Sequence, residues 1–548
     1  MFVRVKTTPN SPRKSVQLVE SVRDGNKVKQ KIVRHVGIAM DDQELEKLKD
    51  LAELIKSKIE YEHTPSLLSP EELAQQAIEA RKNKDKELHV DLKKIKEEQR
   101  IVLGFHEVFG KISKEIGFDK LLTSRHGESA NKILRDIVIA RIANPTSKRS
   151  SIMMLEEDFG IRINLDKVYR MMDKLDEAAC LKIQELSYQA TLSLFKEKIN
   201  IIFFDVTTLY FESFSEDELK RNGFSKDHKF NQPQVLLSLM VTKDGLPIGY
   251  DVFPGSSYEG HTLCKALEKV KNTYEIDKIV FVADAGIFNT SNLQLLEEHG
   301  YNYIIAARLK NLSKEWKEKI LNHDYSKETI VSFNYDGRKL IVNYNKERAV
   351  KNKLDREKAI NKLLQKLRKN KTPLNLISNY GYKKYIKTEG KATISVDKQK
   401  IEEDSKWDGL HAVITNCHEM NEKETLSHYR GLWQVEESFR ITKHDLKVRP
   451  IYHWTPSRVR AHIAISYLAF CLVRHLEYRV SIQYKKLSPK SIVHSLSKVQ
   501  ASILRDRDGK RYVLPSEFTQ DAKKIYQLMG LETSITPYRL ESKSCLNE

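Results

Sequence analysis

Two short apolar runs that each end at an aspartate constrain the fold more than any other feature of the sequence. Residues 199–204 form a β-rich apolar run directly before Asp205, and residues 278–283 form a second one directly before Asp284. Short, continuous apolar runs of this kind are typical of strands that are buried on both faces of a sheet. Between them, residues 234–253 have the pattern of two strands joined by a tight hairpin turn.

Helical patterns alternate with these predicted strands. Residues 262–274 and 293–299 have helical spacing, and residues 301–307 form a further apolar strand pattern. The predicted order is strand, hairpin, helix, strand, helix and strand. This order predicts an α/β fold in which a mixed sheet is covered by helices on both sides.

The charge balance indicates a polyanionic partner. The 548 residues include 94 Lys and Arg against 75 Asp and Glu, a net charge of +19. Two segments concentrate this charge, because residues 1–40 and residues 346–370 each carry a net charge of +7. Such segments suit a protein that binds DNA through counterion release. Two solvated surfaces with no partner are the alternative interpretation.

Cysteine usage and hydropathy predict a cytoplasmic protein. The five cysteines are scattered without a Cys-x-x-Cys pair, which predicts a reducing compartment and no structural zinc. The longest apolar run, residues 463–473, is shorter than the roughly 20 residues that cross a bilayer, so we expect no membrane partner.

Changes in sequence pattern divide the chain into six predicted regions. These are a basic β unit at 1–40, a helical region at 41–195, a first core part at 196–310, a β-rich insertion with a basic helix at 311–427, a second core part at 428–480 and a C-terminal region at 481–548. The helical region contains the basic pair Lys148 and Arg149 after a break at Pro145. It fits a DNA-binding helical module and a helical packing domain equally well.

The two strand-end aspartates are candidate metal ligands. Ligands of open α/β sheets bind in the crevice beyond the carboxyl ends of the strands. Mg²⁺ is typically held there by one or two carboxylates together with substrate phosphate oxygens. Either Asp205 or Asp284 alone could be a turn or a helix cap, whereas the pair favours a site.

A third candidate lies on a helix predicted over residues 429–443. At about 100° per residue, one narrow face of that helix carries an aromatic pair, one carboxylate and two basic residues, which are Tyr429, Trp433, Glu436, Arg440 and Lys443. This mixture suits a helix that offers a carboxylate to a metal while its neighbours bind phosphates and stack on a base. Glu437 falls off the face. The alternative is a surface helix on which Glu436 pairs with Arg440 and Lys443.

The chain resembles insertion-sequence DDE transposases of the IS-four superfamily. The signature of that family is Tyr-x2-Arg-x3-Glu-x6-Lys, which Tyr429, Glu436 and Lys443 match, while Leu432 occupies the arginine position. The blocks at 203–208 and 283–286 resemble those around the two family aspartates. The segment at 445–453 is most similar to the IS-sixteen-thirty-four branch, and the resemblance extends from about residue 103 to residue 475.

The resemblance implies an RNase H-like mixed-sheet core that is interrupted by the β-rich insertion and preceded by the small β unit and the helical region. It implies a DNA transposase that cleaves DNA at transposon ends and transfers the strands into target DNA. Asp205, Asp284 and Glu436 would be the catalytic residues and would hold two Mg²⁺ ions, for which Mn²⁺ can substitute. A nuclease without strand transfer and a catalytically silent DNA-binding regulator are the alternatives, although a silent regulator would be expected to lack one of the carboxylates.

The same resemblance implies DNA contacts and partners. The residues expected to bind DNA are Tyr429, Arg430, Trp433, Arg440, Lys443, Arg458 and Arg460. The DNA partners are the terminal inverted repeats of the element and the target, and two ends would be held together by a homodimer. The implied location is the bacterial cytoplasm, in association with the nucleoid.

Overall fold

The structure is a computed structural model, and it describes residues 1–7, 13–24, 27–63, 69–84, 92–123, 127–195, 200–212, 215–223, 232–257, 262, 280–286, 290–369, 384–389 and 393–540. The helix predicted at 262–274 lies, except for its first residue, outside the described residues. The chain divides into two compact units, Met1–Ile95 and Lys96–Glu548.

The first unit is a three-stranded antiparallel sheet followed by two helices. Its elements are β1 (Phe2–Thr7), β2 (Lys14–Asp24), β3 (Lys27–Ala39), α1 (Asp42–His63) and α2 (Pro70–Lys84). The central strand β2 pairs with both neighbours. Val16 and Leu18 alternate along β2 and point at α1, where they pack with Leu45 and Ala52. These three strands lie within the basic β unit that the sequence predicts at 1–40.

The second unit begins with a strand and a helical region. Its elements are β4 (Lys96–Val102), α3 (Gly104–Ile116), α4 (Gly127–Ala143), α5 (Lys148–Phe159), α6 (Leu165–Met172) and α7 (Glu177–Leu194). The break predicted at Pro145 is present, because α4 ends before it and α5 begins after it. The Ser147 side chain caps α5 by accepting a hydrogen bond from the Ser150 backbone N–H.

The remaining elements build the main sheet and the parts that surround it. They are β5 (Ile201–Tyr210), β6 (Gln234–Thr242), β7 (Pro247–Pro254), β8 (Val280–Ala283), α8 (Thr290–Glu298), β9 (Asn302–Ala306), α9 (Lys314–Leu321), β10 (Ile330–Tyr335), β11 (Arg338–Tyr344), α10 (Lys346–Lys369), β12 (Ile386–Glu389), β13 (Thr393–Val396), α11 (Lys398–Ser405), β14 (Leu410–Thr415), α12 (Glu422–Arg430), α13 (Trp433–Arg440), α14 (Pro456–Gln483), α15 (Pro489–Ser497), β15 (Gln500–Arg505), β16 (Arg511–Pro515), α16 (Gln520–Leu528) and β17 (Tyr538–Leu540).

The main sheet is mixed, as the strand patterns predict. Its eight strands have the order β10-β11-β14-β9-β8-β5-β6-β7. The pairs β5/β8 and β8/β9 are parallel, and the other pairs are antiparallel. Both faces are buried, because Phe203 of β5 packs into one apolar cluster and its neighbour Phe204 packs into another on the opposite face. Three strands from residues 311–427 extend this sheet beyond β9.

Two further features complete the second unit. Strands β15 to β17 pair with β4 in a four-stranded sheet, so residues near the C-terminus cover the start of the unit. Among the described residues, α14 is the one helix long and apolar enough to cross a membrane, and 94% of its apolar window is buried inside the protein. The helix therefore has the burial of a core element.

Candidate active site

Asp205 and Asp284 are brought side by side by the register of two parallel strands. Phe204 of β5 is paired with Ala283 of β8, so the next residue on each strand is one of the two aspartates. Adjacent strands are separated by about 4.8 Å. Each carboxylate accepts a hydrogen bond from the following backbone N–H, at 2.7 Å for Val206 and 2.6 Å for Ala285. The predicted convergence of these two residues is thus present.

Strand alternation directs both aspartates toward the face that carries α13. Phe203 and Val282, each two residues before an aspartate, belong to the same apolar cluster as Leu432 and Val435. Residues i and i+2 of a strand point to the same face. The side chains of Asp205 and Asp284 therefore point to the face on which the helix with Glu436 packs.

The helix predicted over 429–443 is not continuous, and this prediction is wrong. Helix α12 ends at Arg430, α13 begins at Trp433, and a π-helical turn follows at Ile441–Asp445. The junction is tightened by hydrogen bonds between residues three apart, such as that from the Gly431 N–H to the His428 carbonyl at 2.9 Å. The tight junction coincides with the close packing of Gly431 on β5, where a Cβ atom would lie 2.5 Å from Cζ of Phe203.

Tyr429 is within electrostatic range of all three predicted catalytic carboxylates. Burial raises the pKa of its phenol, and the charges of Asp284, Glu436 and Asp205 raise it further, while the charge of Arg348 lowers it. A tyrosine in this position is a poor covalent nucleophile, because the neighbouring negative charges oppose its ionisation. Its ring centroid is 4.9 Å from that of His411, at the start of β14.

Basic residues of the insertion form the other wall of the site. A cleft of about 840 Å³ is lined by Tyr429, Trp433 and Glu436 on one side and by Arg348 and Lys351 of α10 on the other. Arg348 and Lys351, with Asn352 and Asp355, occupy one face of α10 at helical spacing. This face belongs to the basic segment that the sequence predicts to bind DNA.

The sequence did not identify His411. Its pKa is lowered to about 4, mainly by burial and then by the charge of Arg348, while Asp284 opposes the shift. His411 is therefore neutral near pH 7. No sequence motif marks it, because it reaches the site only through the pairing of β14 with β9.

Glu436 and Glu437 have different environments. Glu437 pairs with Arg440, with nitrogen-oxygen distances of 2.6 and 2.7 Å, and Arg440 also reaches Asp445 at 3.3 Å. The alternative in which Glu436 pairs with Arg440 on a surface helix is thus wrong. Glu436 is exposed in the cleft, and no hydrogen bond or ion pair among the described residues uses its carboxylate.

The described residues contain no group of three or more His, Cys, Asp and Glu side chains close enough to hold a metal ion. The structure therefore brings Asp205 and Asp284 together and leaves Glu436 outside metal-binding distance of the pair, on the wall of the cleft that Tyr429 and Arg348 also line. The two aspartates supply hard oxygen donors of the kind that Mg²⁺ prefers.

The other predicted DNA-binding residues are distributed more widely. Arg430 lines the cleft, and Trp433 is 48% exposed with the Lys486 ammonium 5.3 Å from its ring. The remaining side chains contact the protein: Lys443 lies 6.0 Å from the Phe439 ring, Arg458 pairs with Asp173 at 2.8 Å, and Arg460 donates to the Val252 carbonyl at 3.3 Å.

Comparison with known families identifies the class of protein that carries this site. Residues 196–472 match the family model described as "Transposase DDE domain", and the chain belongs to this family of DNA-transposing enzymes. Residues 2–64 match the model described as "IS1634 family transposase, N-terminal domain". The predicted branch of insertion-sequence transposases is confirmed by this second match.

Solved structures of transposases are also similar to the chain. The piggyBac transposase synaptic complex with hairpin DNA is 11% identical, with a TM-score of 0.37 over 72% of this chain and 77% of that chain. The Mos1 transposase paired-end complex with the left transposon end is 11% identical, with a TM-score of 0.15 over 46% of this chain and 76% of that chain. A search of curated proteins found no match.

Proposed function

We propose that this transposase cleaves DNA at the ends of its element and joins the freed ends to target DNA, with Asp205, Asp284 and Glu436 as its catalytic residues. The observation that carries the proposal is the register of β5 and β8, which sets Asp205 and Asp284 side by side on the face against which the helix with Glu436 packs. The order β7-β6-β5-β8-β9, with β5, β8 and β9 parallel, supports an RNase H-like core around them.

Asp205 and Asp284 would bind a divalent cation before DNA arrives. Their donor chemistry fits Mg²⁺ or Mn²⁺, and their neighbouring strand ends hold them without a large rearrangement. Glu436 would complete the ligand set in the DNA complex, where phosphate oxygens share the cations. The two bound ions would activate the attacking water or hydroxyl group and stabilise the leaving oxygen.

The cleft would hold the DNA strand that is cut. Arg348 and Lys351 on one wall and Arg430 on the other supply positive charge for phosphates, while the exposed face of Trp433 can stack on a base. Outside the cleft, the DNA backbone would be contacted by the other predicted basic residues, which are Arg440, Lys443, Arg458 and Arg460. For Arg440 and Arg458, binding would require exchange of an existing carboxylate partner for a phosphate.

The six regions of the sequence would share this task. The β unit at 1–40, the helical region at 41–195 and the insertion at 311–427 would bind DNA, the two core parts at 196–310 and 428–480 would carry the carboxylates, and the region at 481–548 would support the core. A homodimer would hold the two terminal inverted repeats, and the protein would act in the cytoplasm on nucleoid DNA.

The test combines DNA cleavage with metal binding. Purified protein is incubated with Mg²⁺, a labelled duplex carrying the element's terminal repeat and a target plasmid. We expect end cleavage and strand joining for the native protein, and loss of both in Asp205→Asn, Asp284→Asn and Glu436→Gln with DNA binding retained. Glu437→Gln is the matched control, since it removes the neighbouring carboxylate that pairs with Arg440, and it should cleave.

Mn²⁺ titration of the DNA-free protein by calorimetry separates the ligands. Either aspartate variant should lose Mn²⁺ binding, whereas Glu436→Gln should keep it. Cleavage that survives Glu436→Gln would refute the assignment of the third carboxylate. Cleavage without joining would indicate a nuclease, and metal-independent DNA binding without cleavage would indicate a regulator.

A further inference from the structure

A cluster of basic side chains is buried at the N-terminus of α5, away from the carboxylates. It consists of Arg141 from α4, Lys148 from α5, His453 from the loop after the π-helical turn, and His462 from α14. Arg141, Lys148 and His462 are only 4%, 5% and 6% exposed, and His453 is half-buried. We refer to these four residues as the basic cluster.

The basic cluster holds the loop that follows the helix carrying Glu436. Arg141 donates hydrogen bonds to the carbonyl oxygens of Leu446 and Lys447 at 2.8 and 3.2 Å. His462 Nε2 donates to the Val448 carbonyl at 3.0 Å. The rings of His453 and His462 have centroids 5.2 Å apart.

Some polar groups of the basic cluster have no partner in the described part of the chain. The Arg141 Nε–H is a buried donor that makes no hydrogen bond there. His462 Nδ1 also has no partner, but it is an acceptor because Nε2 carries the ring proton. Lys148 makes no hydrogen bond or ion pair to any described residue, although its side chain is almost completely buried. Side chains of this type are rarely buried unless they are paired.

The two strong bases of the basic cluster, Arg141 and Lys148, have charges of the same sign. Burial and these charges lower the pKa of both histidines, so His453 and His462 are uncharged near pH 7. Burial lowers the pKa of Arg141 to about 10, and burial together with Arg141 lowers the pKa of Lys148. Burial and the charges of Lys148 and Arg141 lower the pKa of His453 to about 4. No carboxylate among the described residues offsets these charges, so an anion would remove an unfavourable electrostatic energy.

The backbone at this position also favours an anion. Lys148 is the first residue of α5, a helix of 12 residues. The free N–H groups and the dipole at a helix N-terminus attract phosphate groups. Here the helix start coincides with a buried lysine that lacks a partner among the described residues, so both features favour an anion at the same place.

We propose that Arg141 and Lys148 bind a phosphate group, in a site lined by the neutral side chains of His453 and His462. The phosphate is either a backbone phosphate of bound DNA or a free phosphate ion, and both offer the same tetrahedral oxyanion. A DNA phosphate here would contact the loop that begins one turn after the Glu436 helix. The DNA source rests on the proposed function, whereas the phosphate site itself does not.

Thermal unfolding of the full chain tests the site without DNA. The melting temperature is measured in sodium phosphate and in sodium chloride of equal ionic strength. We expect phosphate to raise the melting temperature of the native protein progressively with concentration, as a ligand of the folded state does. Lys148→Met should melt higher than the native protein in chloride, because it removes a buried unpaired charge. It should gain less from phosphate than the native protein gains, since only the general stabilising effect of phosphate on folded proteins remains.

Two control variants test whether the phosphate increment depends on Lys148 itself. Lys167→Met removes an exposed lysine of α6 and should keep the phosphate increment, and Arg348→Gln should keep it too, although it alters the catalytic cleft. An equal increment in Lys148→Met and native protein would overturn the proposal. Absence of any phosphate increment in the native protein would also overturn it, whether or not the variant folds.

DNA binding then distinguishes the two sources of phosphate. The affinity for a duplex with the terminal repeat is measured over a range of salt concentrations for native protein, Lys148→Met and Lys167→Met. If the ligand is a DNA phosphate, the slope of log affinity against log salt should become less negative by about 0.9 in Lys148→Met alone. If Lys148→Met shows a smaller phosphate-dependent rise in melting temperature than the native protein but keeps the native salt dependence of DNA affinity, the ligand of the site is a free phosphate ion.

Discussion

The position of the Glu436 helix depends on the absence of a side chain at Gly431, and Gly431→Ala tests this dependence. A Cβ atom at this residue would lie 2.5 Å from Cζ of Phe203, whereas ordinary contacts are 3.4 to 4 Å. The helix would have to move outward by about 1 Å, since Phe203 is only 1% exposed and cannot turn into solvent. Phe203 is on β5, two residues before Asp205, so the movement separates Glu436 from the aspartates.

The free energy of unfolding should change little. Overpacking of a core contact costs about 1 to 3 kcal/mol. Gly431 has helical dihedral angles, with φ −66° and ψ −10°, so alanine recovers about 1 kcal/mol of helix propensity. The net loss is then between about 0 and 2 kcal/mol. The cleavage rate should fall far more, by about 100-fold, because a displacement near 1 Å can have that effect on an active site.

The assay is single-turnover cleavage at saturating DNA, with urea unfolding measured in parallel. Gly110→Ala is the matched control, because a Cβ atom at this helical glycine would meet nothing within 4 Å. It should gain about 1 kcal/mol of stability and cleave normally. The double variant Gly431→Ala/Phe203→Leu should recover part of the cleavage rate, since leucine lacks the clashing Cζ atom.

Normal cleavage by a folded Gly431→Ala variant would refute the reasoning. It would show that the distance between α13 and β5 does not control the reaction. Slow cleavage that Phe203→Leu does not improve would attribute the defect to the helix junction rather than to the contact.

Three further predictions concern charge. Arg474→Leu should lower the free energy of unfolding by about 3 to 5 kcal/mol, because Arg474 pairs with buried Glu477 and donates to the Gly245 carbonyl at 2.9 Å; an unchanged urea midpoint would contradict it. Burial and then the charge of Arg479 lower the pKa of His475 from 6.5 to about 3. The free energy of unfolding therefore has its full value above pH 6.5 and falls at lower pH, where the unfolded chain binds a proton that the folded protein does not. Between pH 7 and pH 5 the free energy of unfolding, measured in urea, should fall by about 2 kcal/mol less in His475→Gln than in the native protein. Equal decreases in the two proteins would refute this. Arg348→Gln should raise the pKa of His411 above about 4 in an imidazole NMR titration, and an unchanged pKa would place Arg348 away from His411.

The parts of the site that the sequence predicts correctly are set by local burial. Strands buried on both faces need apolar residues at consecutive positions, so the runs before Asp205 and Asp284 identify both strands and their polar ends. The pairing of Phe204 with Ala283 then follows from the order of the strands. Neither aspartate depends on a contact between distant segments for its identification.

The parts that the sequence does not predict depend on such distant contacts. The interruption at Gly431 coincides with a contact with Phe203, which no helical projection contains. Glu436 and Glu437 precede Arg440 by four and three residues, so both are its neighbours on the helix surface, and the arginine pairs with Glu437. A helical projection allows both pairs and does not decide between them.

The wall of the cleft formed by the insertion follows from strand direction. Strand β14 is antiparallel to β9, with Val413 paired to Ala306, so β14 starts beyond the edge of the sheet at which β8 and β9 end. His411 consequently lies at the edge that carries Asp284. Strand β11 is antiparallel to β14 and ends at this same edge, after which the chain enters α10 and presents Arg348. Because β11 runs toward this edge, the helix that follows it begins beside the aspartates. A strand with the opposite direction, as β10 has, would carry the basic helix to the far edge.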